Sequence, residues 1–187
     1  MAHDPETPCA AFEGQRLIAA GPLSDVAPAV RGVLNQRPNA SVLILADDDS
    51  RRVEVDLRGT VAEVAARVAA VEAKGPGRPK LGVVPREITL LPRHWEWLAA
   101  QPGGASVALR KLVEAARKDP RERARAARDS AYRFMTTLAG DAPGFEDAVR
   151  ALYAADRTAF ETHTESWATD VRDHALRLAA PGFGEAT

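Results

Sequence analysis

CAAFEGQRLIAA, residues 9–20, decides the fold. Two short apolar runs, CAAF (9–12) and RLIAA (16–20), flank Glu13-Gly14. Such runs separated by a glycine turn predict a β-hairpin. Ser24 is a candidate N-cap, and Val26, Val30, Val33 and Leu34 then recur on one helical face. Pro28 is admissible in that helix where it falls in the first turn. The same plan returns downstream. SVLILA (41–46) is a buried-strand run, DDDS (47–50) a turn, and RRVEVDL (51–57) alternates with Val53, Val55 and Leu57 on one face. Thr60 and Glu63 have capping-box spacing, and Val61, Val64, Val68 and Val71 follow with helical period. Residues 9–73 therefore predict ββαββα, an antiparallel sheet with helices on one face.

Past that point the pattern changes. KGPGRP (74–79) has linker composition, and EITLL (87–91) predicts a short strand. A helix is expected over 92–100, then a break at QPGGA (101–105). Ser106 is placed to cap a second helix with an apolar stripe of Leu109, Leu112, Val113 and Ala116. Asp119, Pro120 and Glu122 mark the start of a longer helix with Ala124, Ala127, Ala131, Phe134, Met135 and Leu138 on its buried face. Gly140 suits a left-handed helix end. Two more helices are expected over 144–156 and 170–180, with a frayed tail from Pro181. The predicted class is α+β: the N-terminal ββαββα sheet, a short strand, and a mainly helical C-terminal part. The chain divides into 9–73, a basic segment with a helical hairpin at 74–118, and a helical region at 119–180.

The 187 residues are 45% hydrophobic with a formal net charge of −1, so no general affinity for polyanions follows. A single cysteine, Cys9, excludes an intramolecular disulfide. No window approaches the ~20 apolar residues of a membrane span. The first residues, MAHDPETPC, lack an apolar signal segment, and a cytoplasmic location is expected.

Charge is distributed unevenly. Residues 75–133 hold thirteen Lys and Arg against six Asp and Glu, a net +7, which leaves −8 on the remainder. A locally positive surface concentrates phosphate and gains from counterion release. Contacts to double-stranded DNA are expected from Arg78, Lys80, Arg86, Arg93, Arg110 and Lys111, with Arg78 and Lys80 on an arm and Arg110 and Lys111 early in the second helix. The alternative reading is a protein-interaction module, with the basic segment binding an acidic partner.

EITLLP (87–92), HWEWLAAQ (94–101), GGAS (103–106) and VALRKLVEAARK (107–118) resemble, in their order, the ribbon-helix-helix proteins. That resemblance implies a homodimer whose paired strands enter the DNA major groove while the second helix's N-terminus holds a phosphate. GRPK (77–80) resembles the core of an AT-hook, whose arginine lies in the minor groove. GRPKLGVVPREITLLPRHWEWLAAQPGGASVALRKLVEAAR, AYRFMTTLAGDAPGFEDAVRALYAADR and WATDVRDHALRLAA are together similar to an uncharacterised bacterial domain-of-unknown-function family (twenty-two thirty-nine). This second resemblance implies a bacterial source and carries no activity.

Other constellations point to structure. Asp170, Asp173 and His174 share a helical face but lack the further ligands of a metal site, with His163 the only spare candidate. The three aspartates 47–49 point in different directions and have no spaced calcium-loop pattern after them. Cys9 has no basic neighbour to lower its pKa. Trp95 and Trp97 diverge by about 200° on a helix, which allows one to face a core while the other meets a partner, another domain or a nucleobase; the favoured expectation is that both pack across a crowded interface. With neither a nucleophile–base pair nor a ligand set, no enzyme activity, cofactor or metal is expected.

Overall fold

The computed structural model describes residues 4–70 and 86–184. It divides into two compact units, one of residues 1–74 with 124–187 and the other of residues 75–123. The α+β class holds, with an antiparallel sheet at the N-terminus and helices after it.

The first unit is built on a three-stranded sheet in the order β2-β1-β3: β1 Pro8–Glu13, β2 Arg16–Pro22 and β3 Val42–Ala46. Both pairings of β1 are antiparallel. The β1–β2 register slips between Ala11 and Phe12, a bulge at which Phe12 pairs with Leu17 and Ala11 with Ala19. Side chains alternate across the sheet, and here both faces are apolar. Cys9, Ala11, Ile44 and Ala46 point to one core, with Val26 and Val30 of α1 (Leu23–Gln36) and Val64 and Val68 of α2 (Val61–Ala69). Ala10, Phe12 and Leu45 point to a second, larger core. Helices therefore cover both faces rather than the single face expected. The physical reason is the unbroken apolar run in β1 and β3, which leaves no face for water.

The second hairpin is also reduced. Residues 51–57 meet β3 only at the isolated bridge between Leu45 and Arg52, supported by the Val53 N–H on the Ile44 carbonyl at 2.9 Å. Beyond it, the carbonyls of Asp56 and Arg58 accept from the Arg67 guanidinium instead of from a neighbouring strand. α1 opens at Leu23, so Ser24 lies inside its first turn and Pro28 stands at the sixth residue. The Leu23 and Ser24 N–H groups donate to the carbonyls of Thr7 and Pro5, which makes a side-chain cap unnecessary. α2 starts as expected, with Thr60 and Glu63 exchanging both capping-box bonds.

Among its described residues the second unit holds α3 (Pro92–Ala99) and α4 (Gly104–Lys118), and its last four residues begin the next helix. Residues 86–91 form no strand ladder among the described residues.

The larger core of the first unit gathers α5 (Pro120–Ala139), α6 (Phe145–Tyr153), α7 (Arg157–Thr164) and α8 (Thr169–Phe183). Phe12 meets Phe134 with ring centroids 5.4 Å apart. Gly140 follows α5 without a positive φ; a Cβ there would come within 2.9 Å of the Thr136 carbonyl oxygen. α8 runs through Pro181 to Phe183, whose ring lies 5.4 Å from that of Phe160, so the expected fraying does not begin at Pro181.

Candidate nucleic-acid interface

The second unit follows from two chain breaks. Pro92 disfavours a helical Leu91, which is extended at φ −66° and ψ 149°, and Pro92 itself becomes the first residue of α3. Gly103 and Gly104 then take positive φ values of 86° and 74°. A Cβ at Gly103 would press on the Val107 side chain at 3.1 Å, so glycine is needed both for its φ and for this approach. Because α4 opens at Gly104 after Gly103, Ser106 is part of the first turn and not its cap.

α3 and α4 bury Leu98 and Ala108. Eight residues of α3 extend about 12 Å, whereas fifteen residues of α4 extend about 22 Å. Helix α3 is therefore too short to shield the whole apolar stripe of α4. Leu112 and Val113, in its C-terminal half, remain 49% and 55% exposed. On α3, Trp95 is 40% exposed and Trp97 53%.

Arg86, Arg93, Arg110 and Lys111 are all exposed; Arg78 and Lys80 lie outside the described residues. At about 100° per residue, Arg110, Lys111, Arg117 and Lys118 share one arc of α4, turned away from Leu109, Leu112 and Ala116. Arg93 belongs to a different helix, with Trp97 one turn further on the same face. Arg117 pairs with Glu114 at 3.3 Å, and the Arg110 Nε donates to the Ser106 carbonyl at 3.1 Å. Among the described residues, Arg86, Arg93, Arg110 and Lys111 have no carboxylate partner.

Arginines of the first unit are mostly neutralised nearby. Arg16 and Arg37 both contact Glu13, and hydrogen bonding from Arg16 holds its carboxyl below the usual range. Arg58 and Arg67 share Asp56, held far down chiefly by the Arg58 side chain. Arg150, Arg157 and Arg172 pair with Asp147, Glu161 and Asp173.

A second polar constellation lies in the first unit, where the aspartate turn meets α5 and α8. Arg177 makes two hydrogen bonds to the Asp47 carboxylate, at 2.8 and 3.2 Å. The same guanidinium lies 2.9 Å from His174 Nδ1, and His174 Nε2 is 3.6 Å from Asp47. The imidazole is buried, its centroid 5.3 Å from that of Phe12 and 4.5 Å from that of Phe134. Burial, then the Arg177 charge, pulls its pKa down to about 4 against the opposing pull of Asp47. The Arg177 nitrogen near Nδ1 is also 3.3 Å from His174 Nε2, so it faces both ring nitrogens of the imidazole. Beside it, Ser50 at φ 52° hydrogen-bonds Ser130 Oγ at 2.8 Å, and Ser130 donates to the Asp47 carbonyl at 3.1 Å. These contacts tie a turn to two helices; sequence spacing could not reveal them, because Asp47 and Arg177 are 130 positions apart.

The sequence-adjacent acids go elsewhere. Asp170 accepts from the Leu17 N–H at 2.8 Å, and Asp173 pairs with Arg172. Among the described residues, no group of three His, Cys, Asp or Glu side chains is placed to hold a metal ion. Cys9 is buried, and burial followed by the Asp47 charge pushes its thiol up to about 11. An open cleft of about 390 Å³ lies at the α5–α6 connection, where the Trp167 indole N–H donates to the Pro143 carbonyl at 2.9 Å. No described helix is long and apolar enough to cross a membrane.

A family described as an uncharacterized protein conserved in bacteria matches residues 8–179. No curated protein and no solved structure matches the chain.

Proposed function

Since the chain belongs to that bacterial family, DUF2239, and the description supplies no activity, we propose from its own residues that it is a DNA-associated protein acting through the second unit. One observation carries the reading: among the described residues, exposed Arg86, Arg93, Arg110 and Lys111 lack carboxylate partners, while most arginines of the first unit are paired. Unneutralised cations on a small helical unit attract phosphate and release counterions when they bind it. Arg78 and Lys80 extend the same charge along the chain in the proposed complex. The reading assigns no catalytic role.

Two copies pair in this proposal. Leu112 and Val113 extend beyond the reach of α3, and Ile88 and Leu91 are about half exposed. A short helical hairpin with so little buried apolar surface gains stability from association. The exposed apolar residues also favour the second reading, a protein-interaction module with no nucleic acid.

Gel retardation of mixed-sequence duplex by the full chain at low salt tests the first reading. Retardation is expected, with affinity falling steeply as salt rises. Arg110→Ala lowers the magnitude of the log–log salt slope by about 0.9, the value of one lost phosphate contact. Absence of retardation together with a stable complex on an acidic protein selects the second reading. Sedimentation of the free chain measures pairing separately, and Leu112→Lys shifts a dimer toward monomer.

A further inference from the structure

We infer that the outward face of α3 is a base-stacking platform, so that the DNA held by the second unit presents unpaired bases. This names the form of the ligand and rests on nucleic-acid binding by that unit.

Arg93, Trp97 and Gln101 follow one another at four-residue intervals, which places them in one row along α3 and its C-terminal turn. The Gln101 Nε2 donates to the Trp97 carbonyl at 3.1 Å, joining the end of the row to its centre. Helix packing does not require an indole at position 97. Leu98 supplies the buried contact, and Trp97 diverges by about 100° from it and by about 200° from Trp95. Slightly more than half of Trp97 is exposed, although an indole is the most costly side chain to leave in water.

Arg93 stands one turn before Trp97 and has no carboxylate partner among the described residues. Glu96 borders the row about 60° round the helix from Arg93, which directs an incoming phosphate to the Arg93 side. A cation beside an exposed aromatic face takes phosphate on one group and a nucleobase on the other. In continuous duplex the base faces are stacked on one another and closed to a side chain. Single strands, frayed ends and gapped duplexes leave such faces open. Stacking tolerates any base, so the platform is blind to sequence.

Fluorescence anisotropy of the full chain with a labelled oligo-dT and with a mixed-sequence duplex of equal length, at the same low salt, tests the inference. The single strand is expected to bind more tightly. Trp97→Ala loses roughly tenfold in affinity for oligo-dT, with duplex affinity unchanged within about twofold. Trp97→Phe, which keeps an aromatic face, recovers most of the loss, and circular dichroism of the variants reports an intact fold. Equal oligo-dT affinity for Trp97→Ala and the parent chain overturns the platform, as does a preference for duplex. Duplex binding, together with an oligo-dT affinity that Trp97→Ala leaves unchanged, leaves the DNA reading standing without the platform. Failure to bind either oligonucleotide removes both.

Discussion

His174 shows how a titratable side chain is accommodated in an apolar core. Its ring lies against Phe12 and Phe134, and an Arg177 nitrogen lies within hydrogen-bond reach of both ring nitrogens. Its folded pKa of about 4 lies below the ordinary 6.5. The unfolded chain therefore binds the proton first, and the native state loses stability as pH falls from about 6.5, levelling off below about 4. At most about 3 kcal/mol is involved, since each pH unit between the two values is worth about 1.36 kcal/mol. Glu13, Asp56, Glu63 and Asp147 have lowered pKa values, so their contributions disappear as pH falls below the carboxylate range. Urea unfolding across pH 4–7 checks the assignment. His174→Phe, which retains a ring between the two phenylalanines, flattens the slope between pH 6.5 and 4; an unchanged slope assigns the proton elsewhere.

Single elements are legible where their start signals are local. Thr60 accepts from the Glu63 N–H, and the Glu63 carboxylate accepts from the Thr60 N–H. Thr60→Ala should cost about 1 kcal/mol in chemical denaturation, while Thr60→Ser should cost much less. Asp119 likewise accepts from the Arg121 N–H at 2.8 Å, as its place before Pro120 implies. Helix α7 is not among the elements expected from the sequence, although its signal is local. Asp156 accepts from the Ala159 N–H at 3.0 Å, a cap three residues ahead in DRTAFE. The start of α1 differs from expectation because its first N–H groups use carbonyls from the turn before β1, which no local side chain announces. Coverage of both sheet faces is written in CAAF and VLIL, whose lack of alternation leaves no polar side. The Asp47–His174–Arg177 contact leaves no comparable trace, since long-range pairing has no period along the chain.

At the scale of the whole molecule, the units differ in how they meet their needs. Both cores of the first unit draw only on residues from the stretches 9–68 and 131–183. Replacing residues 75–123 by a Gly/Ser linker of about 20 residues should therefore leave that unit with a single cooperative unfolding transition. Calorimetry checks this expectation; loss of the transition would assign an essential stabilising role to the second unit. Charge follows the same division. Residues 75–123 hold ten Lys and Arg against five Asp and Glu, a net +5 that is legible in the sequence, but only three-dimensional contacts distinguish a paired arginine from an unpaired one.

The contact between Phe12 and Phe134 also sets a timetable for synthesis. The ribosome delivers the strand bearing Phe12 early and the helices that cover it much later. At 5–20 residues per second, that side of the nascent sheet waits roughly ten to thirty seconds for α8. During this interval the opposite side already has α1 and α2 at hand, so the newborn chain is greasy on one side alone and open to capture by a chaperone.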